Sequence, residues 1–101
     1  MTMGNRNVER MLWCQPPITD IPPQSRWVLL LMAKAAHDDS QLYYGGVAYL
    51  ALGLGYTDGR NGRRAIMRHL ALLQDTGYLF RTDKRSGRRV VYELRLPQLL
   101  Q

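Results

Sequence analysis

Arginine is the residue type in this chain whose placement could do chemistry. Between positions 60 and 89 the cations are Arg60, Arg63, Arg64, Arg68, Arg81, Lys84, Arg85, Arg88 and Arg89, and only Asp75 and Asp83 oppose them. A guanidinium presents planar N–H donors that bond two acceptors on a guanine edge or two oxygens of a phosphate. Asn61, next to Arg60, can bond adenine in the same two-point way. The 101-residue chain carries a net charge of +6, with an isoelectric point near 10.0. Such a charge favours a polyanionic partner and says nothing about fold. A solvated cationic surface is the plain alternative, and the choice between them rests on where the arginines fall on the secondary structure.

Other chemistries find little support. Cys14 is the single cysteine, so an intramolecular disulfide and a cysteine-based zinc cluster are excluded. It has no neighbouring histidine in sequence and reads as a spectator thiol. His37 and His69 lack a third ligand at metal-binding spacing. No nucleophile–base pair or carboxylate pair sits on a recognisable scaffold, so the expectation is a protein that is not an enzyme and needs no cofactor. No apolar run reaches membrane-spanning length, and the start of the chain lacks a signal-peptide pattern, so a cytoplasmic, membrane-free protein is expected.

The elements that must position the arginines can be read from periodicity. A first helix is expected from Pro23 to His37, with Pro22 and Pro23 suited to its first turn. Trp27, Leu30 and Leu31 follow helical spacing, and Trp27 reads as a core anchor. Leu42 to Tyr44 suits a short strand, and Val47 to Leu52 a short second helix. Gly53-Leu54-Gly55 then supplies the backbone freedom that a tight turn needs. The third helix is expected from Gly62 to Thr76, with Ile66, Leu70 and Leu73 as its core stripe and Gly77 as its stop. On a helical wheel Arg60, Arg64 and Arg68 lie opposite that stripe. Met67 and Leu72 flank it and read as packing, as do Tyr43, Tyr44 and Tyr49. Two strands close the chain, Tyr78 to Thr82 and Val90 to Leu96, with Val90, Tyr92, Leu94 and Leu96 on one face. The tip between them, Asp83 to Arg88, is cationic.

This order of helix, short strand, helix, tight turn, helix and β-hairpin resembles the winged helix-turn-helix family. Leu50-Ala51-Leu52-Gly53-Leu54-Gly55-Tyr56-Thr57 is similar to the pattern Leu-Ala-x-x-Leu-Gly-x-Ser/Thr. Arg63 to Leu79 resembles the family's recognition helix and first wing strand, and Val90-Val91-Tyr92-Glu93-Leu94 its second wing strand. The resemblance spans Arg26 to Leu96. One departure stands out: Ile66 follows Thr57 by nine residues, farther than in the family pattern. Asp58-Gly59-Arg60-Asn61-Gly62 is therefore expected as an insertion or an extended turn.

The resemblance implies an α+β fold: a three-helix core with a C-terminal β-hairpin wing and a short N-terminal arm. Residues 1–21 would be the arm, 22–97 the domain and 98–101 a tail. It also implies sequence-specific binding of double-stranded DNA, with Thr57, Arg60, Asn61, Arg63, Arg64 and Arg68 from the helix region and Lys84, Arg85, Arg88 and Arg89 from the wing. A transcriptional repressor is the leading role. A plasmid or phage replication or maintenance factor, or a protein–protein interaction module, are the alternatives. The apolar arm residues Val8, Met11, Leu12 and Trp13, with Leu99 and Leu100 of the tail, point to a homodimer, because one small core leaves little room for them.

Overall fold

The computed structural model describes residues 20–37 and 40–96. The elements follow in the expected order: α1 (Pro23–Ala35), β1 (Leu42–Tyr43), α2 (Gly46–Gly53), α3 (Gly59–Asp75), β2 (Leu79–Ser86) and β3 (Arg89–Leu94). The fold is α+β. The three strands form an antiparallel sheet in the order β1-β3-β2, so β3 is central. The arm residues Val8 to Trp13, Cys14 and the tail residues Leu99 and Leu100 lie outside the described residues.

α1 begins where Pro22 and Pro23 present no N–H to be left unpaired, and Lys34 sits in its last turn where the helix dipole favours a cation. Val28, Leu29, Met32 and Ala33 are spaced to fall on one face, and all are fully buried. Trp27 is not a core anchor. Its ring is 47% exposed, and its Nε1 donates to the carbonyl of Gly53 at 3.2 Å. The reason is angular: the buried stripe is centred on Val28 and Leu29, and Trp27 falls to one side, across the end of α2. Ile21, expected at the end of the arm, is buried with the core.

The turn from α2 to α3 uses Gly55 at φ +88°, a conformation that costs a side-chain-bearing residue. Tyr56 N–H then bonds back to the carbonyl of Ala51 at 3.0 Å. α3 starts three residues before the expected Gly62. Asp58 is its N-cap, accepting from the N–H of Arg60 at 2.9 Å and of Asn61 at 3.5 Å. The expected insertion is thus an added first turn of α3. Gly62 is a packing residue within that turn. A β-carbon there would come within 3.0 Å of those of Ala51 and Tyr56, so its absence lets α3 cross α2 closely.

Ile66, Leu70 and Leu73 of α3 are buried as expected and meet Val28, Leu29 and Met32 of α1, Leu50 of α2, and Leu79, Tyr92 and Leu94 of the sheet. The hairpin runs farther than expected. β2 continues to Ser86, leaving only Gly87 and Arg88 as the tip. Gly87 has φ +64°, as required at the first central position of a two-residue II′ turn. Lys84 and Arg85 therefore lie in a strand. Arg81 pairs with Tyr92 and Arg85 with Val90, so Thr82, Asp83 and Lys84 together oppose Val91. That irregularity is held by Thr82, whose hydroxyl donates to the Val91 carbonyl at 2.6 Å and accepts from the Lys84 N–H at 3.2 Å. Bulges of this kind bend and twist a strand.

Candidate nucleic-acid interface

The cationic residues gather on two adjoining surfaces. One is a cleft of about 380 Å³ between α3 and the hairpin. Arg63 and Met67 form its helix wall, and Arg81, Arg85, Arg88 and Arg89 its hairpin wall. Gly46 and Val47, at the N-terminus of α2, close one end. The other surface is the outward side of α3, a shallow hollow along Arg60, Arg63, Arg64, Met67, Arg68 and Ala71. Arg63 and Met67 belong to both and form the ridge between them.

Local structure explains each placement. On β2 the register puts Leu79, Arg81 and Arg85 on one face, with Leu94, Tyr92 and Val90 opposite them on β3. The apolar end of that face packs on the core, and the arginine end lines the cleft. Arg89 is set by Gly46, at φ +78°: the Arg89 side chain lies where a Gly46 β-carbon would be, 2.9 Å from its position. Tyr43 donates to the Gly46 carbonyl at 2.6 Å and braces the same corner. Burial pushes the Tyr43 phenol well above its ordinary pKa, with Tyr49 adding to the rise and Arg89 opposing it. The group stays neutral and keeps its donor.

The electrostatics are one-sided. No described acidic residue lines the cleft or the outer hollow. None of the eight arginines on these surfaces makes an ion pair or a side-chain hydrogen bond with a described residue. Arg60, Arg63 and Arg64 also stand in the first two turns of α3, which contain no acidic residue beyond the cap. In the first turn, where Arg60 stands, the helix dipole disfavours a cation by a few tenths of a kcal/mol to about 1 kcal/mol.

The expected site residues are not all equivalent. Arg60, Arg63, Arg64, Arg68, Arg85, Arg88 and Arg89 fall on the two surfaces. Thr57 lies before the cap, in an adjoining hollow between α2 and the start of α3 that shares Val47, Ala48 and Arg63 with the cleft. Lys84 is exposed in the bulge and does not line the cleft. Asn61 is exposed, and its amide Nδ2 donates to Asp58 at 3.0 Å, which ties it into the cap. Two residues belong to the site that sequence reasoning left out. Arg81 was legible from its alternation with Leu79. Met67, read as packing, is 40% exposed; its place one turn beyond Arg63 and Arg64 was the available signal.

No family model, curated protein or solved structure matches the chain. Among the described residues no three His, Cys, Asp or Glu side chains gather as a metal site. Nor is any described helix long and apolar enough to cross a membrane. His69 of α3, partly buried, is bonded through Nδ1 to the hydroxyl of buried Ser25 at 2.8 Å. No described carboxylate bonds to this pair, which joins α1 to α3. It is a packing contact remote in character from the arginine surfaces.

Proposed function

We propose that this chain is a winged-helix protein that binds double-stranded DNA, with α3 entering the major groove and one sugar–phosphate strand lying in the cleft between α3 and the hairpin. The observation that carries the reading is the convergence of arginines, from two elements distant in sequence, on one cleft where no described residue pairs with them and no described acid lines the wall. An isolated patch of like charges is destabilising, and a phosphate backbone is the polyanion whose shape fills a groove between a helix and a wing. The major groove admits one α-helix. The side of α3 free of packing is its arginine side, and its added first turn lengthens the part that would reach base edges.

The roles divide by position. Arg81, Arg85, Arg88 and Arg89 clamp phosphates; Arg60, Arg64 and Arg68, on the outward side, face base edges. Repression of transcription follows if the bound site overlaps a promoter; replication or maintenance of a plasmid or phage uses the same contact. A pair of copies joined through the arm or tail would read two half-sites about one helical turn apart.

The test selects a preferred duplex from a random pool and compares it with a scrambled one. Arg64→Ala should lose about 1–3 kcal/mol of affinity on the preferred duplex if it reads a guanine, and much less on the scrambled one. Absence of duplex binding by the unaltered chain at low salt would refute the proposal and leave a protein-binding role for the fold. Equal losses on both duplexes would make Arg64 a phosphate contact.

A further inference from the structure

Met67 is the one apolar side chain larger than alanine on the outward face of α3. It occupies the ridge between the cleft and the outer hollow, with Arg60, Arg63, Arg64 and Arg68 around it. Several other large exposed apolar side chains have partners that account for them. Trp27 bonds the Gly53 carbonyl, Tyr44 meets the ring of His37 edge-on at 5.4 Å, and Phe80 lies 4.5 Å under the Arg95 guanidinium. Leu52 of α2 is also exposed, but it lines neither arginine surface; Met67, 40% exposed, stands among the cations. Val47, Ala48, Val90 and Tyr92 line the cleft beside it, and the part that stays exposed stands among the guanidinium groups of the outer hollow.

We propose that Met67 is a specificity-determining residue that reads the 5-methyl group of a thymine, an inference that rests on the DNA-binding reading above. Thymine's methyl is the apolar feature of the major-groove edge; the other bases offer hydrogen-bonding groups that arginine and asparagine suit. A straight-chain thioether with three rotatable bonds adapts to such a small apolar target. The position on α3 is also right. At 100° per residue, Met67 lies about 20° from Arg60 and about 60° from Arg64, so a helix that presents these arginines to the groove presents Met67 with them. From Arg64 to Met67 the helix rises about 4.5 Å, and one base-pair step is about 3.4 Å. The thymine therefore lies one or two base pairs from the base that Arg64 contacts. Together the two residues discriminate neighbouring positions by different chemistry, one by hydrogen bonding and one by apolar contact.

The experiment replaces each thymine of the preferred duplex, one at a time, with deoxyuridine. Pairing is kept and only the methyl is removed. The unaltered chain should lose about fourfold in affinity at one position, the worth of a buried methyl group. That position should lie within two base pairs of the one whose discrimination is lost in Arg64→Ala. Met67→Ala should bind the thymine and uracil duplexes equally, while keeping the Arg64-dependent discrimination. Met67→Gln, of similar length and polar, should do the same; Met67→Leu should retain a thymine preference. These variants change an exposed side chain, and circular dichroism confirms that each is folded. An unchanged uracil penalty in Met67→Ala, or no uracil effect near the Arg64 position, overturns the assignment while DNA binding stands. Loss of all duplex binding by the unaltered chain overturns both.

Discussion

The two sides of α3 are built on opposite principles. On the inward side Ile66, Leu70 and Leu73 recur at helical spacing, are fully buried, and meet apolar residues from both other helices and the sheet. Every local preference there agrees with the fold. On the outward side Arg60 stands in the first turn, where the helix dipole is positive, Arg63 and Arg64 follow in the next, and none has an acidic partner among the described residues. That side works against the stability of the isolated chain. Consistency across levels is what a structural face needs, and violations of it are expected at functional or strained sites. The contrast within a single helix separates the two more sharply than any comparison between helices, because length and environment are shared.

Breaking the inward side has the largest expected effect. Leu70→Ala should destabilise the fold by about 2–5 kcal/mol, since the side chain is fully buried and the cavity can close only in part. Urea unfolding followed by circular dichroism measures this. The folded fraction should bind duplex DNA with unchanged affinity. A parallel loss of intrinsic affinity would mean that the two sides are coupled through the helix.

On the outward side and the hairpin the effect is on binding. Arg85→Ala combined with Arg88→Ala should make the dependence of log affinity on log salt less steep, by about 0.9 for each phosphate contact removed. Lys84→Ala should leave the slope unchanged, because Lys84 does not line the cleft. Titrations at several salt concentrations distinguish these outcomes. A slope altered by Lys84→Ala and not by the double variant would place the phosphate strand on the bulge instead of in the cleft.

The same contrast has a signature in stability. Arg60→Glu puts an acid in the first turn of α3, where the dipole favours it, and should raise stability by about 0.3–1 kcal/mol at low ionic strength. It should also weaken DNA binding. A gain in one property with a loss in the other is the outcome expected of a residue kept for function. If Arg60→Glu lowered stability, Arg60 would be holding the helix start, and the violation described above would have a structural cause.

Much of this was legible in the sequence because the signals were periodic. The stripe Ile66, Leu70, Leu73 located α3, and the alternation of Tyr92 and Leu94 located β3. What escaped depended on contacts between distant residues. Asp58 to Gly62 read as an insertion or extended turn, yet Asp58 caps a first turn of α3 there and the helix backbone needs Gly62 to pass Ala51. Trp27 carried the size of a core residue, and its place was decided by the angle at which α1 meets α2. The hairpin bulge could not be inferred, because it follows from how β2 registers on β3. The members of the arginine site were visible as a composition. Their division between a cleft and an outer face was not, since it depends on the sheet folding back beside α3.

The smallest expected effect concerns His69, at the boundary between the two sides. Partial burial lowers the pKa of its imidazole below the ordinary value, and Nδ1 is bonded to the Ser25 hydroxyl at 2.8 Å. The folded chain therefore holds this proton less tightly than the unfolded chain does. Its contribution to stability is fully present above the unfolded value of about 6.5, and it declines as the pH falls through that value. The decline ends once the pH is below the folded value, where both states are protonated. Melting temperatures at pH 7.5 and at pH 5 should thus differ, with the lower value in acid. His69→Gln, which cannot titrate and can still bond Ser25, should reduce that difference. Because His69 is only partly buried, the effect should be modest beside those of the core and the arginines. An undiminished acid loss in His69→Gln would assign it to other groups, and the Ser25–His69 contact would then be a pH-insensitive tie between α1 and α3.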